Sequence, residues 1–251
     1  MIYGFTRAAR FGVLSVLSLA AGMSFCGAAD AQQSYCATHD LPARFKPAPW
    51  QERMRYEVRQ VGQSKVFVAT GAIEANSATE FAGALASAGV VDEVWLASPG
   101  GVVNEGLAIG RLLRKSGLIV RISNGSACVS SCTLAFLGGT IRVVDPDAYY
   151  GVHMFSIFFD RSNAVIYTKE LVDKAVARGK VAGNGATAEY LQKELMLREQ
   201  STAVLSAKIA KYLVEMSASL SFLDGMFGQE QLGVCYLSRQ SLTRFNVVNS
   251  Q

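Results

Sequence analysis

Charged residues are scarce in this chain, and they do not gather into a block. Only 18% of the 251 residues are charged, the formal net charge is +4, and no run of Lys or Arg stands out. Proteins that bind nucleic acid usually present a basic patch or stripe, so the composition argues against nucleic acid as a partner. A Gly-x4-Gly-Lys-Ser/Thr loop is also missing, and the chain therefore carries no ATPase motif of its own.

Histidine is rarer still, with only His39 and His153 in the chain. Zinc sites commonly combine His with closely paired Cys-x2-Cys spacings, and no such pair occurs among the five cysteines. We therefore predict no metal site and no cofactor.

Apolar residues, by contrast, make up half of the chain. A chain of this length and composition can bury a substantial core. It predicts one large domain rather than two.

The first thirty-one residues form a separate segment. Arg7 and Arg10 form a basic flank, Phe11 to Ala29 runs for 19 residues without a charge, and Ala29-Asp30-Ala31 has small residues at both recognition positions. This order predicts a signal peptide over 1–31, with cleavage near Ala31 and a periplasmic or secreted product. The alternative is an uncleaved membrane anchor, because 19 uncharged residues approach spanning length.

Removal of that segment would leave four cysteines, Cys36, Cys128, Cys132 and Cys235. An even number in an exported protein predicts disulfides, and three pairings are possible. We favour Cys128–Cys132, which are close in sequence, and Cys36–Cys235, which would tie the two ends together.

Strand and helix patterns alternate after an N-terminal arm. Residues 32–63 hold three of the five prolines and predict an irregular arm, and 64–251 predict the main domain, with a helical extension over 155–218. Strands separated by helices indicate βαβ units, hence an α/β fold with a largely parallel sheet. The predicted strands are 65–69, 91–97, 118–122, 141–144 and 149–153. The predicted helices are 77–88 (with a capping box from Ser77 to Glu80), 103–116, a turn and helix over 127–137, 169–178, and 187–216 after a loop at 179–185.

Two segments rich in small residues stand out between these elements. The first, Ser98-Pro99-Gly100-Gly101, separates a buried strand from a helix, where glycines leave backbone N–H groups accessible. The second, 125–139, crowds small residues around Ser130 at a strand-to-helix turn, a place from which a serine hydroxyl can project. Each segment also has a purely structural reading, as a tight turn and as a site of close helix packing.

These segments together give a resemblance to a known family. The stretch from Val66 to His153 resembles the Clp protease proteolytic subunit and its exported bacterial relatives. The shared pieces are the 98–101 turn, the Cys-x-Ser-x-Cys element at 128–132, and Gly151-Val152-His153 after Pro146. Twenty-nine positions separate Gly101 from Ser130, and seven separate Pro146 from His153. These intervals match the family pattern and select Ser130 rather than Ser131 as the nucleophile.

The resemblance implies a Ser–His–Asp peptidase of Clp protease/crotonase-like fold. Ser130 would attack the carbonyl, His153 would accept and return its proton, and the N–H groups of Gly101 and Ser131 would bind the oxyanion. The family's acidic residue falls on Ser221 here; Asp224 and Glu215 are nearby substitutes, and we favour Asp224. Met154 also stands where relatives commonly have Gln.

The resemblance also suggests partners: a peptide or unfolded-protein substrate and assembly into a homo-oligomer. Helix 187–216 is longer than a core needs, which supports packing against another subunit.

One alternative function is a degenerate peptide-binding or scaffold protein. A second is a Ser–Lys dyad peptidase using Lys115, Lys180 or Lys208. An acyl-CoA enzyme is disfavoured by export. A Cys128–Cys132 disulfide would stiffen the loop that carries Ser130; its alternative is two reduced, buried thiols.

Overall fold

The computed structural model describes residues 35–42, 52–154, 161–227 and 233–250. These residues form nine strands and seven helices. The strands are β1 (Cys36–Thr38), β2 (Arg55–Val61), β3 (Ser64–Thr70), β4 (Glu93–Ala97), β5 (Ile119–Ile122), β6 (Ala127–Val129), β7 (Ile141–Val144), β8 (Tyr149–Val152) and β9 (Cys235–Leu237). The helices are α1 (Ser77–Ala88), α2 (Val103–Ser116), α3 (Ser131–Leu137), α4 (Arg161–Ala182), α5 (Asn184–Glu215), α6 (Phe222–Phe227) and α7 (Arg239–Arg244).

The larger sheet has the strand order β2-β3-β4-β5-β7. Strands β3, β4, β5 and β7 are parallel, and β2 is an antiparallel edge strand that forms a hairpin with β3. Helical connections are what parallel neighbours require. The predicted α/β class, with a largely parallel sheet and a long C-terminal helix, is confirmed.

The smaller sheet has the order β1-β9-β8-β6. Strands β6 and β8 are parallel, and β9 pairs antiparallel with both β8 and β1. Two isolated parallel bridges, Ser98 with Cys128 and Ile73 with Gly101, continue this layer from β6 through segments that come earlier in the sequence. A unit of large-sheet strand, small-sheet segment and helix thus occurs four times in succession. In the first three units, the small-sheet segment ends just before a helix.

The helices pack closely where glycine removes the side chain. A Cβ atom placed on Gly106 of α2 would lie 2.4 Å from the carbonyl oxygen of Ser131, so the backbones of α2 and α3 nearly touch. Tyr212 of α5 then donates a hydrogen bond of 2.6 Å to the carbonyl of Leu134 in α3. These contacts fix α3, and with it the turn that precedes α3.

Four local predictions differ from the structure, one being the turn and helix over 127–137, whose first three residues form the strand β6. The capping box at Ser77 does not form: α1 begins at Ser77 itself, and the backbone N–H of Ala78 bonds to the carboxylate of Glu105 on α2 instead. The arm over 32–63 is not irregular where it is described, because β1 and β2 find partners in β9 and β3. The loop at 179–185 is helical except at Gly183, whose φ of +85° separates α4 from α5.

Some predictions fall on residues outside the described ranges. They are the signal peptide or anchor over 1–31, the prolines at 47 and 49, and the aromatic cluster of Phe155, Phe158 and Phe159. Among the described residues, no helix is both long and apolar enough to span a membrane.

A disulfide and a buried arginine secure the C-terminal segment. Cys36 and Cys235 form a disulfide across β1 and β9, the same pairing that the sequence favours. The side chain of Arg142 is completely buried and donates to the carbonyls of Val247 and Asn246, each at 2.8 Å, and of Met216 at 3.1 Å. Burial lowers the pKa of Arg142 to about 10. The buried cation is thus satisfied by main-chain carbonyl oxygens, and the Met216 carbonyl accepts a second bond from Arg114 at 2.9 Å.

Charged side chains also cross-link the edges of the parallel strands. Arg121 on β5 donates to Glu93 on β4, at 2.7 and 3.0 Å, and to Asp145 after β7, at 2.6 Å. Trp95 donates a further hydrogen bond of 2.7 Å to Glu93. The bonds from Arg121 lower the pKa of Glu93.

Replacement of Glu93 by Gln tests this cross-link. A carboxyl whose pKa is lower in the folded state stabilises the fold above its unfolded pKa and loses that contribution as the pH falls through the folded pKa. We expect Glu93→Gln to lower the free energy of unfolding by about 1–3 kcal/mol at pH 7 and by clearly less at pH 3. Urea unfolding at the two pH values measures the difference, with the exposed Glu57→Gln as control. An equal loss at both pH values would contradict this role.

Candidate active site

Three parallel segments lie side by side at one edge of the smaller sheet. The N–H of Ser98 bonds to the carbonyl of Ala127 at 3.0 Å, and the N–H of Val129 returns to the carbonyl of Ser98 at 2.9 Å. On the other side, the N–H of Ser130 bonds to the carbonyl of Gly151 at 3.0 Å. The register therefore brings the 98–101 turn, Ser130 and the end of β8 together, although more than fifty residues separate them in the chain.

Ser130 itself has an unusual backbone conformation. Its φ is 58° and its ψ is −128°, and it is the single residue between β6 and α3. Residues other than glycine rarely adopt such angles, which cost on the order of 1–3 kcal/mol and tend to cluster at functional sites. A nucleophilic serine on a strained strand-to-helix turn is a recurrent arrangement in hydrolases, because the turn exposes the hydroxyl.

The carbonyl of Ser130 is held from the first turn of α3. It accepts hydrogen bonds from the N–H and the hydroxyl of Thr133, at 2.9 and 2.5 Å. The phenol of Tyr150 donates to the carbonyl of Thr133 at 3.0 Å, and burial raises the pKa of Tyr150, so the phenol stays protonated. These bonds fix the strained turn to β8.

The 98–101 turn contacts Ser130 with bare backbone. A Cβ atom on Gly100 would lie 2.6 Å from Cβ of Ser130 and 2.9 Å from the nitrogen of Ser131, and one on Gly101 would lie 2.0 Å from the carbonyl oxygen of Ile73. Their φ angles, +90° and +141°, also disfavour other residues. Glycine is required at both positions for the turn to fit between Ile73 and Ser130.

Two backbone N–H groups at this edge have no acceptor among the described residues. They belong to Gly101 and to Ser131, the first residue of α3. Backbone donors with no partner in the protein are the kind of group that stabilises a developing oxyanion in acyl transfer. The two residues are those that the sequence proposes as the oxyanion hole.

His153 follows the last residue of β8 and is partly exposed. Its Nδ1 lies 2.7 Å from the carbonyl oxygen of Met154. Because a carbonyl can only accept, Nδ1 is the donor in this contact, and Nε2 is the nitrogen that carries the lone pair when the ring is neutral. The side chains of Ser130 and His153 lie on neighbouring segments but are not hydrogen bonded to one another in this structure.

The proposed acidic residue is not joined to the histidine. Asp224 is exposed on α6, and no hydrogen bond or ion pair connects it to His153. Glu215, the other carboxylate considered, forms an ion pair with Arg111 at 2.8 Å. The structure therefore supplies the Met154 carbonyl, rather than either carboxylate, as the acceptor for Nδ1.

The three lysines considered for a Ser–Lys dyad are all exposed: Lys115, Lys180 and Lys208. Lys208 donates to the side chain of Asn104 at 2.7 Å. A dyad lysine must be buried enough to lose its proton near neutral pH. None of the three satisfies that requirement in this structure.

Cys128 and Cys132 form a disulfide on either side of Ser130. Both side chains are buried, with 0% and 1% of their surface exposed. The pairing is again the one that the sequence favours, and it excludes two reduced thiols in this structure. Among the described residues, no group of three or more His, Cys, Asp and Glu side chains could hold a metal ion.

Sequence reasoning missed three groups that shape the site: Gly100 as a contact of Ser130, Thr133 as a clamp on its carbonyl, and the carbonyl of Met154. The first lies inside a motif already singled out. A main-chain acceptor leaves no signal in the residue types, so nothing in the sequence could have revealed the third.

Comparison with known proteins finds no matching family model and no matching curated protein. Solved structures with some likeness include two mutants of the 1510-N membrane-bound stomatin-specific protease. One of them matches at 12% identity over 73% of this chain and 75% of that chain, with a TM-score of 0.40. The other, in complex with a substrate peptide, matches at 12% identity over 73% and 71%, with a TM-score of 0.39.

An enoyl-CoA hydratase from Thermoplasma volcanium GSS1 matches at 15% identity over 55% of this chain and 63% of that chain, with a TM-score of 0.34. This chain thus spans less than two thirds of the hydratase. At these identities and TM-scores, nothing about activity follows from the likenesses.

Substitution of Gly100 by Ala tests the close contact with Ser130. We expect it to lower the free energy of unfolding more than Gly125→Ala does, by at least about 1–3 kcal/mol, because the added methyl overpacks the site. Gly125 is a matched control: its φ is also positive, +74°, but a Cβ there meets nothing within 4 Å. Urea unfolding of both variants measures the difference, and equal losses would show that the contact is not tight.

Proposed function

We propose that this chain is an exported serine hydrolase of crotonase-like fold that cleaves peptide bonds. The observation that carries the proposal is the strained conformation of Ser130, a single-residue elbow with φ of 58° and ψ of −128°. Nothing in the packing of a strand against a helix requires a serine with such angles, and strain of this kind marks functional sites. The surrounding groups fit one reaction class, acyl transfer.

In the proposed first step, Oγ of Ser130 attacks the carbonyl carbon of the substrate. A C–O bond forms, the hydroxyl proton moves to Nε2 of His153, and the carbonyl electrons move to oxygen. The N–H groups of Gly101 and Ser131 bind that oxyanion. The C–N bond then breaks, His153 gives its proton to the leaving amine, and a water molecule hydrolyses the acyl-enzyme by the same steps.

The hydrogen bond of His153 to Met154 supports this assignment. A general base needs a nitrogen that can accept a proton, and a donor role for Nδ1 leaves Nε2 as that nitrogen. The two side chains must still approach to about 3 Å, and catalytic hydrogen bonds commonly tighten only when substrate binds. The proposed base works without Asp224.

A second candidate function is peptide binding without turnover. It is favoured by the absence of any bond from His153 to Ser130, Asp224 or Glu215 among the described residues, since an unsupported Ser–His pair loses several orders of magnitude in rate. The same edge of the smaller sheet would then hold a peptide through its unpaired N–H groups. The labelling experiment below separates the two functions.

Export of the protein is part of the same proposal. Two disulfides support it, because disulfides form and persist in oxidising compartments such as the periplasm. The basic flank, apolar stretch and Ala-x-Ala end over residues 1–31 support it independently. An N-terminal anchor in place of cleavage would leave the same domain outside the cytoplasm.

We also propose that the protein assembles with copies of itself through the α4–α5 hairpin. Large apolar side chains are exposed along both helices, and on α4 two of them, Val172 and Val176, share one face. The others are Ile166 and Val181 on α4, and Leu195, Met196, Leu197, Val204 and Val214 on α5. Exposed apolar surface of this extent is typical of interaction surfaces, and a second copy would bury it.

Labelling with a fluorophosphonate probe tests the hydrolase proposal. We expect the wild-type protein to be labelled, Ser130→Ala to lose labelling completely, and His153→Ala to lower the rate at least about a thousandfold. Ser87→Ala is the control: this serine is exposed on α1, outside the segments that form the site, so its loss should leave labelling intact. Asp224→Asn should label within about twofold of wild type, since the Met154 carbonyl orients the ring.

No labelling of a folded wild-type protein would reject the hydrolase and favour the binding protein. Labelling that survives His153→Ala but disappears on loss of Lys115, Lys180 or Lys208 would favour the dyad. Strong loss in Asp224→Asn would restore that residue to the triad.

Sedimentation velocity tests the proposed assembly. We expect wild-type protein to sediment as an oligomer and Val172→Glu/Val176→Glu to sediment as a monomer that is still folded by circular dichroism, because two buried like charges would disrupt the interface. Val58→Glu/Val61→Glu, at two similarly exposed valines of β2, is the control that adds the same two charges outside the hairpin. A wild-type monomer at micromolar concentration would contradict self-assembly.

A further inference from the structure

Ser130 lies at the centre of a covalently closed loop of five residues. Cys128 is the middle residue of β6, and Cys132 is the second residue of α3. The chain changes from strand to helix at Ser130, so the whole reversal takes place inside this loop. The disulfide joins the last element before the strained residue directly to the first element after it.

The separation of the two cysteines limits the backbone conformations that are open to Ser130. Their Cα atoms are 5.3 Å apart, within the range of about 4.4–6.8 Å that a disulfide allows. If the turn opened into extended chain, four steps of about 3.3 Å would carry these atoms about 13 Å apart. The cross-link therefore blocks the extended relaxation that β6 would otherwise continue into.

The noncovalent contacts of Ser130 do not impose the same limit. Its N–H is bound to Gly151 of β8 and its carbonyl to Thr133 of α3, but neither bond joins β6 to α3 across the turn. Strained conformations persist only when the surrounding structure over-determines them. A covalent link across the turn therefore restricts the backbone of Ser130 more than these two hydrogen bonds do.

We infer that the Cys128–Cys132 disulfide is a positioning element for Ser130, holding the strained backbone that presents the hydroxyl beside Gly101. Its consequence for catalysis rests on the proposed function, whereas its effect on the backbone of Ser130 does not. The disulfide acts as a permanent support, because both sulfur-bearing side chains are buried and attack on a disulfide requires access to sulfur.

The second disulfide of the chain provides a matched control. Cys36–Cys235 closes a loop with a sequence separation of 199, against 4 for Cys128–Cys132. Cross-links that close longer loops restrict the unfolded chain more, so loss of Cys36–Cys235 should lower the melting temperature more. It should leave Ser130 unchanged, since the bond joins β1 to β9.

The test compares Cys128→Ala/Cys132→Ala with Cys36→Ala/Cys235→Ala, both in the full chain. The first readout is the fluorophosphonate rate constant of the folded protein, measured well below each melting temperature across the pH range. We expect the rate constant of Cys128→Ala/Cys132→Ala to be about ten- to hundredfold below that of wild type at every pH. The shape of its pH profile should not change, because misplacement of the nucleophile slows the reaction without altering the base. The control should stay within about twofold.

The second readout is a crystal structure of the Cys128→Ala/Cys132→Ala variant, which reports φ at Ser130 whether or not the protein is active. We expect φ to leave the positive region in at least one conformer. Retention of φ near +58° with an unchanged labelling rate would overturn the inference and leave a purely stabilising cross-link. If wild-type protein is not labelled while φ relaxes in the variant, the hydrolase fails and the positioning role stands. Should the alanine pair not fold, Cys128→Ala/Cys132→Val fills the cavity and allows the same measurements.

Discussion

The pairing of short parallel segments in the smaller sheet is the constraint on which the rest of the structure depends. Main-chain bonds from Ser98 to Ala127 and from Ser130 to Gly151 fix which residues meet at the edge of that sheet. Side chains alternate between faces along a strand, so a shift of one residue would turn Ser130 away from the 98–101 turn. The successive strand–segment–helix units bring their segments to the same edge.

The strain at Ser130 follows from the same arrangement. The segment must end its pairing with β8 and enter a helix that packs against α2 through Gly106, all within one residue. A gradual turn would need more residues and would move the hydroxyl away from Gly100. The close glycine contacts and the cross-link between Cys128 and Cys132 therefore act together. They hold Ser130 in a strained conformation that fixes the position of its hydroxyl.

Sequence patterns predicted most of the secondary structure that depends on residues close together in the chain. Apart from the three-residue strand β6, the strands and helices between 64 and 153 follow from apolar periodicity and turn residues, and the spacing of Ser130 and His153 follows from motifs inside that range. The short strands β1 and β9 could not be predicted, because three-residue segments carry no periodic signal and pair across 199 positions. The helical course of 179–182 was missed since glycine-rich composition suggests a loop, whereas only Gly183 has a positive φ there.

The acidic residue of the proposed site shows a different limit. Sequence reasoning searched for a carboxylate near 222 because a triad needs an acceptor for Nδ1, but any acceptor fixes the tautomer, and the carbonyl of Met154 is one residue away. A carbonyl orients the ring without the negative charge that stabilises an imidazolium, so it supports the base less strongly than a carboxylate would. In exchange, the orientation of His153 is set within two residues of β8. The C-terminal third can then diverge from the family pattern, where the resemblance is weakest, without altering the proposed nucleophile, base or oxyanion donors.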